Sequence, residues 1–253
     1  MSKLSVVILT LNEEKNIGRC IDSVSEVADE IVVVDSFSTD RTEEICREKE
    51  VTFIQHAFEG YIEQKNWARK QAAHDYVLSL DADEALSKKL QKNILAIKQK
   101  GFECEGYRFN RMTNYCGKWI RHCGWYPDKK LRLWHKDKGE WKGQNPHDRF
   151  EMESGAKVQH IDGDILHYSY YTVLQHVTQI VKFSDISAKA KYEKGKNVPF
   201  WLMILRPSFV FLKKYIFKLG VLDGYYGFVI SRLTAYGIFQ KDILLRELNR
   251  RKK

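Results

Sequence analysis

The stretch YVLSLDADEAL, residues 76–86, ends an apolar run in three carboxylates, Asp81, Asp83 and Glu84. Like charges this close together repel one another, so the cluster requires either open water or a cation beside it. The apolar run has the length of a buried strand. We therefore predict a strand that ends at an acidic cluster, and the function of the chain depends on what neutralises that cluster.

The residues before this stretch alternate between short β-rich runs and helical patterns, which is typical of a parallel sheet with crossover helices. The predicted strands are SVVILT (5–10), EIVVVDS (30–36), VTFIQH (51–56) and YVLSL (76–80). The predicted helices span 14–24, 38–50, 61–74 and 87–101. Ser38 or Thr39 is placed to cap the second of these helices.

The composition is that of a packed protein with an anionic partner. The 253 residues are 43% hydrophobic and carry a net charge of +9. Such a charge favours nucleic acid, a phosphorylated small molecule or an anionic membrane face, and its sign alone does not choose among them. The five cysteines are scattered and form no C-x-x-C pair, which indicates a reducing compartment rather than a disulfide framework or a zinc site.

Polar or acidic residues follow three of the predicted strands. They are Thr10, Asn12 and Glu13 after the first strand, Asp35 and Ser36 after the second, and Asp81 and Asp83 after the fourth. Ligands of open α/β sheets bind beyond the carboxyl ends of the strands, so we expect these side chains to converge on one crevice. A nucleotide suits this crevice, because Asp35 can accept a hydrogen bond from a base or ribose while the acid pair holds a divalent ion.

Simpler interpretations of the same residues remain open. Asp81 and Asp83 can merely precede and cap a helix, and Asp35 can start a turn with Ser36. The sequence contains neither G-x-G-x-x-G nor a P-loop, which argues against a dinucleotide oxidoreductase and a P-loop nucleotidase.

Several segments resemble a known family. SVVILTLNEEKNI, EIVVVDSFSTDRT and YVLSLDADE resemble the signature segments of family 2 glycosyltransferases, and EGYIEQKNWA, WIRHCGWYPDKKLRLWH and DILHYSY are similar to the bacterial lipopolysaccharide-core β-glucosyltransferase subgroup. The resemblance covers about residues 4–170. It implies an α/β fold of the GT-A type, a Rossmann-like mixed sheet with flanking helices, over residues 1–170. Residues 1–100 would bind the nucleotide sugar, residues 101–170 would bind the acceptor and carry the base, and residues 171–253 would form a C-terminal helical extension.

The resemblance also implies a reaction. An inverting enzyme would move a hexose, glucose in this subgroup, from a UDP-sugar to a glycan or glycolipid acceptor such as the lipopolysaccharide core. Transfer to a polyprenyl phosphate or to a capsule or wall glycan is an open alternative. A nucleotidyltransferase would need a glycine- and arginine-rich loop after the first strand, which is absent. A nucleic-acid-binding protein has no need of Asp35, Asp81 and Asp83, which would repel phosphate, so we expect no nucleic-acid partner.

Site residues follow from the resemblance. The donor site would comprise Leu9, Thr10, Leu11, Asn12, Glu13, Asp35, Gln64, Lys65, Asn66, Asp81 and Ala82. Asp83, with Asp81 less directly, would bind Mg²⁺ or Mn²⁺, and His167 could complete the coordination. Leu11 stands where the family often has tyrosine, and Ser36 where it has a second acid. The simpler alternatives are that His167 is structural and that residues 64–66 lie on a solvated helix face.

The candidate catalytic residues are His147 and Asp148, where the subgroup has His-Glu, and Asp148 is the candidate general base. An inverting transfer requires a carboxylate to take the proton of the acceptor hydroxyl while the diphosphate leaves from the opposite face. The alternative is that Asp148 is a loop acid paired with Arg149.

The stretch 111–145 is dense in aromatic and cationic residues. Aromatic rings pack on the C–H faces of sugars and cations bind phosphates, so we predict acceptor-binding roles for Trp125, Tyr126, Arg132 and Trp141. The alternative for each tryptophan is a place in the core.

The chain beyond residue 170 is predicted to be helical. Phe209, Leu212, Ile216 and Leu219 form one apolar stripe with lysines at 213, 214 and 218 beside it. Such a pattern suits a helix in an anionic membrane interface, or a helix packed on the catalytic domain or on a second copy of the chain. No stretch reaches the roughly 18 uninterrupted apolar residues of a spanning helix. We expect a cytoplasmic protein that attaches peripherally to the cytoplasmic face of the inner membrane.

Overall fold

The computed structural model describes residues 2–144 and 147–251, and the side chains of Gln144 and His147 are outside that description. The chain forms two compact units. The first comprises Met1–Arg111 and Asp128–Tyr168, and the second comprises Met112–Pro127 and Ser169–Lys253. The segment 112–127 thus groups with the C-terminal helices, although it lies within the predicted catalytic range 1–170.

Strands and helices alternate at the start of the chain. They are β1 (Leu4–Thr10), α1 (Ile17–Val24), β2 (Glu30–Asp35), α2 (Thr42–Glu48), β3 (Thr52–Gln55), α3 (Tyr61–Arg69), β4 (Tyr76–Asp81), β5 (Glu84–Leu86) and α4 (Lys88–Lys100). The later strands are β6 (Gly106–Tyr115), β7 (Lys118–Trp119), β8 (Asp128–His135), β9 (Gly139–Gln144), β10 (His147–Met152) and β11 (Val158–Tyr170).

Within the described residues, the main sheet has the strand order β3-β2-β1-β4-β8-β6-β11-β5, with β7 beside β6, and β9 and β10 form a separate hairpin. Strand β1 pairs in parallel with β2 and β4, and β2 pairs in parallel with β3. The pairs β4–β8, β6–β8 and β11–β5 are antiparallel. The predicted mixed α/β sheet with flanking helices is confirmed.

Strands β1 and β2 are largely apolar because both of their faces are covered, and the buried Ser5 of β1 is an exception that donates a hydrogen bond to Glu30. Successive side chains of a strand point to opposite faces. Val6 and Ile8 pack in a cluster with Ile17 of α1, whereas Val7 packs in a second cluster with Ala68 of α3. Side chains with polar groups therefore collect at the ends of these strands, where the candidate site lies.

The predicted cap of the second helix is wrong. Helix α2 begins at Thr42, and Asp40 Oδ1 accepts a hydrogen bond from Thr42 N at 3.0 Å. Ser38 is used elsewhere: its hydroxyl donates to Asp35 and accepts from Asn12 N at 2.8 Å. The residues after β2 consequently form a turn at the site rather than the first turn of a helix.

The second unit is mainly helical, which confirms the predicted C-terminal extension. It contains α5 (Val173–Glu193), α6 (Phe200–Leu212), a π-helical turn (Lys213–Phe217), a 3₁₀ turn (Gly220–Asp223) and α7 (Gly224–Arg251). Helix α7 packs against both α5 and α6. None of the helices in the described ranges combines the length and the apolar character that crossing a bilayer requires.

Candidate active site

The carboxyl ends of β1, β2 and β4 meet at one edge of the sheet. Thr10 lies opposite Asp35, and Leu9 lies opposite Asp81 in the parallel pairing. Ala82 N donates to Leu9 O at 3.0 Å, which extends the pairing by one residue beyond β4. The structure thus brings the predicted donor-side residues of these three strands together.

The loops after β1 and β2 are tied to each other. Asn12 Oδ1 accepts a hydrogen bond from Thr39 N at 2.8 Å, and Asn12 N donates to Ser38 Oγ. Asp35 is fully buried, and it accepts hydrogen bonds from both Ser38 N and the Ser38 hydroxyl. In this structure Asp35 therefore organises the turn after β2, and its contact with a nucleotide stays a prediction.

Phe37 is a candidate site residue that the sequence alone did not single out. It lies in this same turn, its ring is exposed, and its φ is 63°. Residues other than glycine rarely adopt a positive φ. The hydrogen bonds that Asp35 accepts from Ser38 hold the turn in this conformation. The exposed Leu11 lies in the adjoining loop. The signal in the sequence was an aromatic residue directly after the polar end of a strand.

Two of the three carboxylates of the acidic cluster are neutralised by the protein itself. Arg132 Nη2 donates to Asp81 Oδ2 at 3.0 Å and to Glu84 Oε1 at 2.9 Å. Lys65 Nζ lies 3.7 Å from Asp81 Oδ1, and Arg111 Nη1 lies 3.4 Å from Glu84 Oε1. Arg132, which we predicted to bind the acceptor, is therefore a buried partner of the acidic cluster.

The pKa values follow from this arrangement. Burial by itself raises the pKa of Asp81, but the charges of Lys65 and Arg132 outweigh burial and hold that pKa well below its ordinary value. Burial disfavours the charged form of Arg132, yet Glu84 and Asp81 keep the pKa of Arg132 above its ordinary value. Asp81 and Arg132 thus remain a charged pair.

The third carboxylate, Asp83, has a different partner. Strand β11 pairs with β5 so that His167 lies opposite Glu84, and Tyr168 N donates to Asp83 O at 2.9 Å. His167 Nε2 consequently lies 3.1 Å from Asp83 Oδ2. Burial raises the pKa of the nearby Glu13, and the charge of Asp83 raises it further, although a hydrogen bond from Asn16 opposes the shift.

Asp83 and His167 have the chemistry of ligands to a divalent ion. A carboxylate oxygen and an imidazole nitrogen are both suitable ligands for Mn²⁺, and the carboxylate also suits Mg²⁺. Among the described residues, no group of three or more His, Cys, Asp or Glu side chains is arranged to hold a metal ion. The remaining ligands would therefore be diphosphate oxygens and water, which is how Mg²⁺ is usually bound beside nucleotides.

The candidate base is paired with a lysine. Asp148, in β10, accepts a hydrogen bond from Lys65 Nζ at 2.7 Å, and both side chains are largely buried. Arg149 pairs with Glu151 at 2.7 Å, so the alternative in which Arg149 is the partner of Asp148 is wrong. The side chain of His147 lies outside the described part of the structure.

The residues around Lys65 hold its side chain in position. Lys65 Nζ lies 4.4 Å from the centre of the Trp141 ring. Asn66 exchanges two hydrogen bonds with the backbone of Trp141, and Gln64 binds His56 and Ser36. Trp141 is buried against other aromatic rings, so it holds Lys65 in place and leaves little ring surface for an acceptor sugar.

The other two acceptor candidates, Trp125 and Tyr126, belong to the second unit. There Trp125 packs against Tyr115 and His176, with ring centroids 5.9 and 5.8 Å away. A part in acceptor binding stays a prediction for both residues.

Comparison with known proteins places the chain among glycosyltransferases. Residues 5–162 match the family described as Glycosyl transferase family 2. An uncharacterized glycosyltransferase of Rickettsia typhi is 30% identical over 98% of this chain and 88% of its own length. The lipopolysaccharide core biosynthesis glycosyltransferase LpsC of Rhizobium meliloti is 29% identical over 95% of this chain and 93% of its own length.

Among solved structures, the mannosyltransferase PcManGT from Pyrobaculum calidifontis, in complex with GDP-Man and Mn²⁺, is similar with a TM-score of 0.56. The likeness covers 96% of this chain and 86% of that one at 13% sequence identity. At this identity the likeness shows the fold alone.

Proposed function

The chain belongs to glycosyltransferase family 2 and has the GT-A fold, and on that premise we propose that it transfers a hexose from a UDP-sugar to a cell-envelope acceptor with inversion. We propose glucose as the hexose and a glycan or glycolipid such as the lipopolysaccharide core as the acceptor. The proposal rests on the way in which the charged side chains of the first unit are divided into three separate groups. Arg132 neutralises Asp81 and Glu84, while Asp83 with His167 and Asp148 with Lys65 form two further centres.

The donor would bind at the carboxyl ends of β1, β2 and β4. Asp83 and His167 would hold Mg²⁺ or Mn²⁺, which, when bound, neutralises the charge that develops on the leaving diphosphate. The ring of Phe37 would stack on the nucleotide base, because Leu11 has no aromatic ring for this role. Thr10 Oγ1 is buried and has no hydrogen-bond partner among the described residues, which favours a ligand at that strand end. The mannosyltransferase with the similar fold was solved with a nucleotide sugar and Mn²⁺, which supports this kind of donor site.

Asp148 would act as the general base. Its carboxylate would take the proton of the acceptor hydroxyl as that oxygen attacks the anomeric carbon and the bond to the diphosphate breaks. Lys65 is a positioning residue, because its hydrogen bond at 2.7 Å fixes the direction in which the carboxylate points. Nε and Nη1 of Arg132 are buried without a partner among the described residues, which favours an anionic group of a substrate near them.

We propose that the enzyme works at the cytoplasmic face of the inner membrane. The relative from Rhizobium meliloti is named for lipopolysaccharide core biosynthesis, which supports a lipid-linked acceptor. The cysteines of the chain are free, which suits a reducing compartment. Nucleic acid is not the expected partner, because the carboxylates at the strand ends would repel its phosphates.

The proposal is tested by separating donor binding from turnover. We expect a UDP-sugar from a panel of nucleotide sugars to raise the melting temperature only when Mn²⁺ is present. Asp148→Asn should keep this effect but lower kcat by about a hundredfold or more, because the base is lost and the donor site is not. The matched control is Asp137→Asn, which alters an exposed acid of the first unit outside the site. Unchanged turnover in Asp148→Asn removes Asp148 from the mechanism.

A further inference from the structure

The second unit exposes a long apolar surface, formed by the exposed apolar side chains of residues 200–228. Helix α6 consists almost entirely of apolar residues, yet none of its side chains is buried. Phe209 is 63% exposed, and Phe217, in the π-helical turn, is 75% exposed. A helix that is apolar all round is normally buried in a core or in a membrane. Exposure of this extent marks a surface that something else covers.

The exposed charges of this segment are positive. Residues 200–232 contain five cations, Arg206, Lys213, Lys214, Lys218 and Arg232. The one acid of the segment, Asp223, is buried and accepts a hydrogen bond from His122 N at 2.8 Å. Lys218 is exposed directly after Phe217, and Lys213 is exposed one helical turn before it. Arg206 pairs with Asp242 at 3.4 Å, so the surface offers apolar rings together with the exposed positive charges of Lys213 and Lys218.

We propose that this apolar surface binds to the interface of an anionic lipid bilayer, with α6 lying in the plane of the membrane. Thirteen residues of α-helix are about 20 Å long, which is shorter than the hydrocarbon core of about 30 Å, so α6 cannot cross it. A short apolar helix with adjacent lysines and aromatic side chains suits the boundary between headgroups and acyl chains. Lipid phosphates would provide the negative charge that Lys213 and Lys218 lack among the ion pairs of the described residues.

A second copy of the chain is a poorer occupant. A symmetric dimer brings the same patch of both copies together, so it would bring the exposed Lys213 and Lys218 of one copy close to those of the other. Juxtaposed like charges oppose association. The residues of this segment supply no exposed acid to offset them.

The test is flotation of the full chain with vesicles of phosphatidylcholine alone or of phosphatidylcholine with phosphatidylglycerol. We expect binding only to the vesicles that contain phosphatidylglycerol, and weaker binding at high salt. Phe209→Ser with Phe217→Ser should lower the partition coefficient by about a hundredfold, which is about tenfold for each ring. Lys213→Gln with Lys218→Gln should lower it by roughly 25-fold, which is about fivefold for each charge.

Matched controls distinguish binding through this surface from non-specific binding to the vesicles. Leu174→Ser changes an apolar residue of α5 that is 72% exposed, and Lys92→Gln with Lys194→Gln makes the same change of net charge at exposed positions elsewhere. Both controls should bind as the unchanged chain does. Equal binding to both vesicle types, or equal losses in the controls, overturns the proposal.

A second measurement uses the unchanged chain, so its main result does not depend on whether a variant folds. Trp201 lies on the exposed side of α6, so brominated lipids should quench part of the tryptophan fluorescence of the unchanged chain, and Trp201→Phe should remove that part. The absence of quenching overturns the proposal. A dimer without vesicles that dissociates in the Phe209→Ser, Phe217→Ser variant also overturns it, because the surface would then bind a second copy. These readouts measure lipid binding and are independent of sugar transfer.

Discussion

Replacing Arg132 by methionine should remove the cation that allows the buried Glu84 and the partly exposed Asp81 to lie side by side. Arg132 Nη2 lies 3.0 Å from Asp81 and 2.9 Å from Glu84, and Glu84 is fully buried apart from 1% of its surface. Removal of one partner of a buried ion pair costs about 3–5 kcal/mol, because the other charge remains buried without compensation. For a chain of this size, each kcal/mol lowers Tm by about 2–4 °C, so Arg132→Met should melt about 6–20 °C lower.

A double-mutant cycle in a thermal melt assigns this loss to the ion pair. Glu84→Gln placed in the Arg132→Met background should recover part of the loss, because a neutral side chain has no unpaired charge to bury. We expect a coupling energy between the two positions of about 2 kcal/mol. The control is Arg149→Met, which removes an exposed pair with Glu151 and should change stability by less than about 1 kcal/mol.

Two results together would refute this reasoning. The first is an Arg132→Met protein that melts within about 2 °C of the unchanged chain, which corresponds to less than about 1 kcal/mol. The second is a Glu84→Gln change that brings no recovery. The charge of the acidic cluster would then be compensated by something other than Arg132.

Three further predictions concern the two units. Lys65→Met should lower kcat about tenfold to a hundredfold at unchanged donor KM, because the carboxylate of Asp148 loses the partner that orients it, and an unchanged kcat in steady-state assays would contradict this. Phe37→Ala should weaken UDP-sugar binding in calorimetry about threefold to tenfold, whereas Phe37→Tyr should retain it, because the ring stacks on the base. Burial lowers the pKa of His176 from 6.5 to about 4, so below pH 6.5 the unfolded chain takes up a proton that the folded chain does not. Stability should thus fall by about 2 kcal/mol between pH 7 and pH 5 in urea unfolding, and His176→Gln should remove this part of the pH dependence.

The elements of the first unit were predictable because local pattern determines them. The runs around Val6 and Val33 are mainly apolar, since helices cover both faces of the sheet, and the polar residues at their carboxyl ends mark the site. The start of α2 was predicted too early, because Ser38 and Thr39 have the right side chains for a cap but are held by Asp35 and Asn12.

The partners of the acidic cluster were not predictable in the same way. Arg132 is 51 residues from Asp81, and Lys65 is 83 residues from Asp148. The Arg132 contact depends on the antiparallel placement of β8 beside β4, and the Lys65 contact depends on the packing of α3 against β9, the partner strand of β10. No periodicity in the sequence specifies either placement. An arginine in an aromatic stretch therefore favoured acceptor binding, whereas the fold uses it to neutralise two carboxylates. Asp83 and His167 were predicted together only because of the resemblance to a family.

The most direct test is to locate the metal. We predict that crystals grown with UDP-glucose and Mn²⁺, measured at the manganese absorption edge, show one anomalous peak about 2 Å from a carboxylate oxygen of Asp83 and from Nε2 of His167. Arg132 should remain bonded to Asp81 and Glu84 in the same crystals. A peak on Asp81 instead of Asp83, or nucleotide bound without any ion, would contradict the division of the acidic cluster into a part held by arginine and a part left for the metal.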